Sequence, residues 1–414
     1  MPIFSPTQLS RRTAVKLAMA SALLSSCAPK TEKPDKHVAV IGGGIVGASI
    51  AYHLAKEGIK VTLLDRNNIC TRASRGTFAW INATWAKQPR HYHAFNQDGL
   101  MGWKRVQADL NIPIRWTGSL EWFASAERQV KLANQIEEQI KWGEPAEMLD
   151  RQGFTKLEPQ VDFGPVDLVA YSPNDGAVNP VLASSKFVDA AKAMGAVIKT
   201  NCPVDVVETL PDGRSELITP KGNVIVDQYV IATGSDPYAT EQLAGLIIPQ
   251  RSTPGVIVVT KPHKRLINRI IVAPGVHIHQ RDDGCIVLGE QDGAPQTETH
   301  NQRLTHRPNQ FPSEDIAQQH AWRILGIAEQ YVPDISEVEV DNVYIGWRPL
   351  PLDGHPVLGT HPETPNAYLA IMHSGVSLAP IVGELAAKEI ALGISSESLN
   401  EYRPTRPFEK IQRY

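Results

Sequence analysis

The sequence predicts an α/β protein in two parts, one organised around a parallel sheet and the other around antiparallel strands. Two strand–glycine–helix units, at residues 37–65 and 368–392, indicate the parallel part. Short strands separated by polar turns across residues 250–290 indicate the antiparallel part. A chain of 414 residues, 42% of them hydrophobic, is long enough to bury a core in each part.

The first unit has the pattern of a dinucleotide-binding motif. Residues 38–41 form a short apolar run, which is typical of a buried parallel strand. Three glycines follow at the G-x-G-x-x-G spacing: Gly42, Gly44 and Gly47. They predict a tight turn, a close approach of the backbone to a pyrophosphate, and a helix over residues 45–56 that packs on the sheet. Asp65 ends the next strand, where a carboxylate can bind an adenosine ribose. This Rossmann-like motif alone fits NAD as well as FAD.

A small, polar and basic loop, T-R-A-S-R-G-T, follows at residues 71–77. Hydroxyls and backbone N–H groups of such a loop can surround a pyrophosphate. The alternative interpretation is a surface loop whose charges are solvated.

The chain then leaves the nucleotide-binding part and returns to it. Helices predicted over residues 92–110 and 125–142 carry no nucleotide motif and begin a second domain, whose tryptophans suit a core better than a pocket. A turn-rich cluster, N-D-G-A-V-N-P at 174–180, precedes a helix over 181–194. A buried strand ending in A-T-G at 232–234 rejoins the parallel sheet.

The sequence favours no metal site. His277 and His279 share one face of a predicted strand, and two imidazoles at that spacing can bind a metal. Since no third ligand accompanies them, packing against the pocket or the sheet is the preferred interpretation. The four cysteines include no C-x-x-C pair.

The C-terminal part repeats the strand–glycine–helix pattern. An amphipathic helix is predicted over residues 313–331, a strand over 368–372 and a further helix over 379–392. The N-terminus of the last helix can face a carbonyl or an anion of a ligand.

The N-terminal residues have the pattern of an export signal. Arg11, Arg12 and Lys16 match the S-R-R-x-x-x-K pattern of a twin-arginine signal, and L-S-S-C ending at Cys27 is similar to a bacterial lipoprotein cleavage box. The prediction is a signal over 1–27, a tether over 28–36, and a periplasmic protein anchored to a bacterial membrane through lipidated Cys27. The alternative is a disordered tail in which the two arginines occur by chance.

Four motifs in this order resemble those of the D-amino-acid oxidase-like flavoproteins, particularly the branch with glycine oxidase, sarcosine oxidase and the small subunit of D-amino-acid dehydrogenase. They are V-I-G-G-G-I-V-G with Asp65, N-D-G-A-V-N-P, I-A-T-G, and G-W-R-P-L-P-L-D-G-H-P-V-L-G followed by H-S-G-V-S-L-A-P. The resemblance implies FAD rather than NAD, and a glutathione-reductase-like flavoprotein whose antiparallel sheet covers the flavin. It implies an FAD-binding domain over 37–85, 175–245 and 340–395, a substrate domain over 86–174 and 246–339, and a tail over 396–414.

The resemblance also assigns cofactor-binding residues. Those at the ADP half would be Gly42, Gly44, Gly47, Asp65, Arg66, Val204, Thr233 and Gly234. Those along the pyrophosphate and the ring would be Arg72, Ala73, Ser74 and Thr77, and those at the pyrimidine edge Gly375, Val376 and Ser377. Asp65 is a shorter version of the family's usual Glu. The covalently linked members carry a cysteine near the C-terminal flavin-binding region, and because no cysteine follows Cys285, non-covalent FAD is expected.

Two residues are assigned to the reaction. Arg348 matches the family arginine that binds a substrate carboxylate; the alternative is an ordinary arginine paired to a structural acid such as Asp353. His373 either faces the flavin or caps the following helix. The hypothesis is that a small amine or D-amino acid loses a hydride from its α-carbon to flavin N5 and the resulting imine hydrolyses.

The predicted partners follow from this hypothesis. The enzyme would bind a small amine or amino acid and pass electrons to oxygen, a quinone or a soluble carrier. A net charge of −3 does not favour a nucleic-acid partner. The rival hypotheses are oxidation of an N-methyl amino acid or a non-amine, and a non-catalytic FAD-containing lipoprotein with a binding or assembly role.

Overall fold

The structure is a computed structural model that describes residues 36–84, 87–236, 238–290 and 310–409. The α-helices, in chain order, are α1 (Ile45–Lys56), α2 (Arg90–Leu110), α3 (Ala126–Lys141), α4 (Arg151–Leu157), α5 (Pro180–Ala193), α6 (Ala239–Ala244), α7 (Glu314–Ala328) and α8 (Gly375–Leu392). The strands are β1 (His37–Ile41), β2 (Lys60–Leu64), β3 (Trp80–Ile81), β4 (Ile114–Arg115), β5 (Ser119–Glu121), β6 (Glu147–Asp150), β7 (Leu168–Ser172), β8 (Gly176–Val178), β9 (Val197–Lys199), β10 (Val206–Thr209), β11 (Ser215–Ile218), β12 (Val224–Val226), β13 (Gln228–Ile231), β14 (Gln250–Pro262), β15 (Ile270–Ala273), β16 (Val276–Gln280), β17 (Cys285–Glu290), β18 (Val340–Pro351), β19 (Val357–His361) and β20 (Thr364–Ile371).

The predicted parallel sheet is present. Its strand order is β19-β20-β13-β1-β2-β9, and β19 alone runs antiparallel to its neighbour among these described strands. Alternate residues of β1 face opposite layers, as the period of a strand requires. Val38 and Val40 pack in the core that includes α1, α5 and α8, whereas Ala39 and Ile41 pack in a core with the small sheet β10–β12. The sheet is therefore covered on both faces.

The antiparallel part is a larger sheet with the order β18-β14-β17-β16-β15-β5-β7-β6. Its strands pair antiparallel except for β15 and β5, which run parallel. The longest pairing joins β14 to β18 and extends from the Gln250–Pro351 pair to the Thr260–Val340 pair. This pairing holds the central residues of β18 in a fixed register. The α/β fold class with a parallel and an antiparallel part is confirmed, and the domain boundaries stay a prediction.

One helix boundary was predicted wrongly. The sequence prediction began the last helix at residue 379, next to Pro380, but α8 begins at Gly375 and encloses the proline. Proline lacks an N–H group and leaves the carbonyl four residues earlier without its helical donor. That carbonyl belongs to Val376, and it accepts a hydrogen bond from the Trp103 indole Nε1 at 2.8 Å instead. The replacement donor comes from α2 and has no local sequence signal.

None of the helices in the described ranges is both long and apolar enough to span a bilayer. Residues 1–35, which include the predicted twin-arginine signal, Cys27 and most of the tether, lie outside those ranges.

Candidate active site and cofactor cavity

The three glycines of the turn after β1 have different surroundings. Gly42 has φ +108°, and a Cβ on it would lie 2.4 Å from the Ala232 carbonyl oxygen. A Cβ on Gly47 would lie 1.9 Å from the Gly42 carbonyl oxygen, so α1 contacts the turn with no room for a side chain. A Cβ on Gly44 would meet only the Ser74 Oγ, at 3.1 Å. Gly42 and Gly47 are therefore needed for the fold, while Gly44 borders open space.

That open space is a cavity of about 330 Å³ at the carboxyl end of the parallel sheet. Many of the residues predicted to bind the cofactor line it: Gly42, Gly44, Asp65, Arg66, Arg72, Ala73, Ser74, Val204, Thr233 and Gly234. They come from the glycine turn, the end of β2, the 71–77 loop, the segment before β10 and the end of β13. Gly47 lies beneath the cavity as a packing contact.

Asp65 is held in place by the backbone. Its Oδ2 accepts a hydrogen bond from the Gly43 N–H at 2.6 Å, and its Oδ1 accepts one from the Asn67 N–H at 2.7 Å. Burial raises the pKa of the Asp65 carboxyl above its usual value. Arg66 lies at the rim, where its guanidinium is 3.7 Å from the carboxylate of Asp236.

The 71–77 loop lies against the N-terminus of α1. Ser74 Oγ accepts a hydrogen bond from the N–H of Ile45, the first residue of that helix, at 3.0 Å. Thr71, Arg72 and Ala73 line the same cavity. The loop therefore faces the helix N-terminus, which is where an anionic group is stabilised.

A second cavity, of about 710 Å³, adjoins the first. Ala73 and Trp347 line both cavities, so the two cavities are neighbours. The second cavity lies between the end of the parallel part and the large sheet, and contains the predicted residues Thr77, Arg348, His373, Val376 and Ser377. Gly375 is not in its wall, because it begins α8 beside Val46.

Arg348 lies in the wall of the second cavity. It occupies β18 opposite Thr253 of β14, and its guanidinium extends over Gly255, where a Cβ would be 3.0 Å from Nη2. Asp353, the acid that the structural alternative would pair with Arg348, is bound instead by Arg406. Arg406 donates to the two oxygens of Asp353 at 2.6 and 3.1 Å. Asp353 is therefore not the structural partner of Arg348, and the binding role of Arg348 stays a prediction.

Ser377 joins α8 to the cavity wall. Its Oγ accepts from the Asn82 N–H at 3.1 Å and donates to the Trp80 carbonyl oxygen at 3.3 Å. His373 lines the cavity, and its carbonyl oxygen accepts a hydrogen bond from the Gly375 N–H at 2.7 Å.

The two histidines of β16 pack among aromatic rings. His279 Nε2 is 2.7 Å from the Phe78 carbonyl oxygen, and burial lowers the pKa of His279 to about 4. His277 lies in the cavity wall with its ring centre 5.4 Å from that of Phe78 and 6.0 Å from that of Trp80. Burial, followed by the Arg348 and Arg128 guanidiniums, lowers its pKa to about 3. Within the described ranges, no cluster of three or more His, Cys, Asp or Glu side chains is arranged to hold a metal.

Sequence reasoning assigned no role to Asp175. This carboxylate is fully buried and accepts hydrogen bonds from the Trp80 indole at 2.9 Å, the Ser119 hydroxyl at 2.8 Å and the Thr84 hydroxyl. It thereby fixes the ring of Trp80 in the wall of the second cavity. The available signal was the N-D-G-A-V-N-P motif, which was interpreted as a turn and as a family motif but not as a buried hydrogen-bond acceptor.

Sequence reasoning also missed four charged residues of the second cavity. Glu121 of β5, Glu290 of β17 and Arg128 and Lys131 of α3 all line it. Their local patterns indicate a strand and a solvated helix face, so nothing local places them in a cavity.

The fold and the first cavity are those of a dinucleotide-binding protein, and a second cavity adjoins the first. A profile described as FAD-dependent oxidoreductase matches residues 37–389, and the chain belongs to that family. An opine oxidase subunit of Agrobacterium tumefaciens (strain Ach5) is 28% identical over 384 residues, covering 89% of this chain and 96% of that protein. Glycine oxidase of Bacillus subtilis (strain 168) is 26% identical over 357 residues, covering 84% and 90%.

Solved structures show the same fold. The crystal structure of glycine oxidase from Geobacillus kaustophilus superposes with a TM-score of 0.80 at 21% identity, covering 90% of this chain and all of that one. The predicted family, enzyme class and use of FAD are thus confirmed.

The residues of the first cavity fit the ADP half of FAD. Gly44 leaves room for a pyrophosphate beside the N-terminus of α1, and a Cβ there would project into that space. The Thr233 Oγ1 atom is buried in the cavity wall with no hydrogen-bond partner among the described residues, so it can bind a cofactor atom. Asp65 and the 71–77 loop would hold the ribose and the phosphates, and the flavin ring would extend past Ala73 and Trp347 into the second cavity.

Proposed function

We propose that this enzyme oxidises the C–N bond of a small amine or D-amino acid, with the substrate carboxylate bound by Arg348. The observation that carries the proposal is the Arg348 guanidinium in the wall of a cavity that adjoins the dinucleotide cavity. Relatives named glycine oxidase and opine oxidase, and a structural neighbour named iminodiacetate oxidase, support an amino-acid-like substrate.

The chain's own residues bind and orient the substrate. Arg348 can hold a carboxylate through two parallel hydrogen bonds, which fixes both the position and the rotation of the substrate. Phe78 and Trp80 provide apolar walls that limit water around the α-carbon. FAD, held by the residues of the first cavity, would supply the oxidation as the acceptor of the hydride that leaves that carbon. His277 stays neutral because its pKa is about 3, so it adds no positive charge beside the amine.

The test is anaerobic reduction of the purified yellow protein by a substrate panel. The panel contains D-amino acids, N-methylglycine and the decarboxylated amine of each amino acid, with dithionite as the positive control. We expect at least one carboxylated amine to bleach the flavin and its decarboxylated counterpart to be much slower. If dithionite bleaches the flavin and no panel member does, the proposal is wrong and the non-catalytic alternative is favoured.

We also propose that the enzyme is exported in folded form and anchored to a membrane through Cys27. The support is the sequence pattern of Arg11, Arg12 and Cys27. Cys27→Ala should yield an unlipidated precursor that is released from washed membranes. Mass spectrometry of the wild-type protein that shows an intact Met1 terminus would contradict this proposal.

A further inference from the structure

The two histidines of β16 differ in their hydrogen bonds, although their spacing places them on one face of the strand. His279 is buried, and its Nε2 is hydrogen-bonded to the Phe78 carbonyl oxygen. His277 lines the second cavity and is only half-buried there. Neither nitrogen of its ring makes a hydrogen bond with the residues that the structure describes. The His277 imidazole therefore has unused hydrogen-bonding capacity inside the cavity.

The pairing of three strands places His277 on the same face of the large sheet as the Arg348 guanidinium. His277 lies opposite Gly289 of β17, which lies opposite Ile257 of β14, so all three face one side of the sheet. Gly255, over which the Arg348 guanidinium extends, is two residues from Ile257 and faces that side too. Two strand spacings, about 10 Å, separate β16 from β14. The imidazole and the guanidinium thus face the space between these strands.

The electrostatics of the cavity keep the His277 ring neutral. Burial is the largest cause that lowers its pKa, and the charge of Arg348 is the next, followed by that of Arg128. The ring and the Arg348 guanidinium are therefore within electrostatic range of each other. A neutral imidazole carries one N–H group and one nitrogen lone pair, so it can accept a hydrogen bond, whereas an imidazolium cannot.

The chemistry of the substrate calls for an acceptor at this place. In an α-amino acid one carbon joins the nitrogen to the carboxylate, so a substrate held at Arg348 has its amine close to the same guanidinium. The nitrogen lone pair helps the hydride to leave the α-carbon, and a donor that bound this lone pair would withdraw it from the reaction. An acceptor that binds an N–H instead leaves the lone pair available and fixes the rotation of the amine.

We propose that His277 accepts a hydrogen bond from the amine N–H of the substrate, and that it thereby orients the amine and favours primary and secondary amines over tertiary ones. This inference rests on the proposed function and adds a residue that recognises the amine. A neutral tertiary amine has no N–H and cannot form this bond. The rings of Phe78 and Trp80, with centres 5.4 and 6.0 Å from that of His277, hold the imidazole in position.

The first experiment compares N-methylglycine with N,N-dimethylglycine on the holoenzyme. The two differ by one methyl group, and only the first keeps an N–H when its nitrogen is neutral. The measured quantity is the ratio of their kcat/KM values. In His277→Phe, which keeps an aromatic ring but has no acceptor, this ratio should fall roughly 2- to 10-fold. His277→Gln supplies a carbonyl acceptor and should restore part of the ratio.

The control variant is Gln135→Leu. It removes a hydrogen-bonding side chain from the wall of the same cavity, but on α3 rather than β16, and the ratio should not change. The FAD content and the melting temperature of every variant are measured alongside, and His277→Leu replaces His277→Phe if the latter does not fold. A ratio that is unchanged when the imidazole is removed, or that falls equally in the control, overturns the proposal.

A ligand-binding arm separates this inference from the proposed function. Glycolate carries an O–H donor in the position of the amine, and methoxyacetate has a methyl group in place of that hydrogen. Neither contains a C–N bond, so their binding, followed by the absorbance change of the bound flavin, does not require turnover. The wild type should bind glycolate roughly 2- to 10-fold more tightly than methoxyacetate, and His277→Phe should lose this preference.

The outcomes of the ligand-binding arm are distinct. Equal affinities for glycolate and methoxyacetate in the wild type would refute the role of His277 even if amino acids are oxidised. A preference for glycolate that depends on His277, without oxidation of any amine, would support the role of His277 and refute the proposed function.

Discussion

Replacing Arg348 tests the assignment on which the proposed chemistry depends. The residue lies mid-strand in β18, where Thr253 of β14 fixes its backbone, so Arg348→Ala should preserve the sheet while removing the guanidinium. Hydrogen bonds to charged groups contribute roughly 1.5–3 kcal/mol. At about 1.4 kcal/mol per factor of ten, kcat/KM for a carboxylated substrate should fall roughly 10- to 100-fold.

Two further variants separate charge from geometry. Arg348→Lys keeps the positive charge but loses the planar fork, so it should restore only part of the activity. Gly255→Ala keeps the arginine but places a Cβ 3.0 Å from Nη2 and 3.4 Å from Nε. The guanidinium then has to shift by a few tenths of an ångström, and activity should fall because the substrate is held in a displaced position.

The assay is kcat/KM for an amino acid and for its decarboxylated amine, measured alongside the FAD content of each variant. The wild type should prefer the carboxylated substrate, and Arg348→Ala should lose most of that preference while retaining FAD. If the preference survives unchanged, or if the variant simply loses its flavin, Arg348 is a structural residue and the reasoning is refuted.

The remaining predictions concern the cofactor and stability. Gly44→Ala should fold normally but bind FAD weakly, because its Cβ projects into the cavity. Gly47→Ala should lower the melting temperature, because its Cβ would lie 1.9 Å from the Gly42 carbonyl oxygen. Equal melting temperatures for the two variants would contradict this difference. Acid precipitation should release all the yellow colour into the supernatant, and colour left in the pellet would indicate a covalent link. His53 and His279 have pKa values lowered to about 4 by burial, so below pH 6.5 the unfolded chain takes up protons that the folded protein does not. Stability should therefore fall as the pH drops from 6.5 toward 4, by up to about 1.4 kcal/mol per pH unit for each histidine, and a constant urea midpoint over this range would contradict the assignment.

The nucleotide-binding part was predictable because its signals are local. The glycine spacing, the apolar strand and the helix after it lie within one stretch of chain, and the predicted helix over 45–56 matches α1 residue for residue. The start of α8 was not predictable in this way. Pro380 argues for a boundary when only neighbouring residues are considered, but Trp103 from α2 supplies the donor that makes the earlier start possible.

The charges of the second cavity were not predictable for a related reason. Arg348 was found because it lies in a specific motif, but Glu121, Arg128 and Lys131 reach the cavity only after β5 pairs with β15 and β7 in the large sheet and α3 packs against β6 and β7. A charged residue on an amphipathic helix has the same sequence pattern whether it faces water or a ligand.

Asp175 shows how a sequence motif and the contacts of the folded chain have to be combined. Its motif has a clear sequence signal, yet the reason for the carboxylate becomes visible only through its donors, which come from β3, β5 and the segment after β3. A fully buried carboxylate is costly unless hydrogen bonds compensate for lost hydration; here three donors offset part of that cost, and burial still raises the pKa of the Asp175 carboxyl. Trp80 is one of those donors and also lines the second cavity. The hydrogen bond to Asp175 therefore also holds the Trp80 ring in the cavity wall. The turn motif therefore acts at a distance on the reacting cavity, without contacting a substrate.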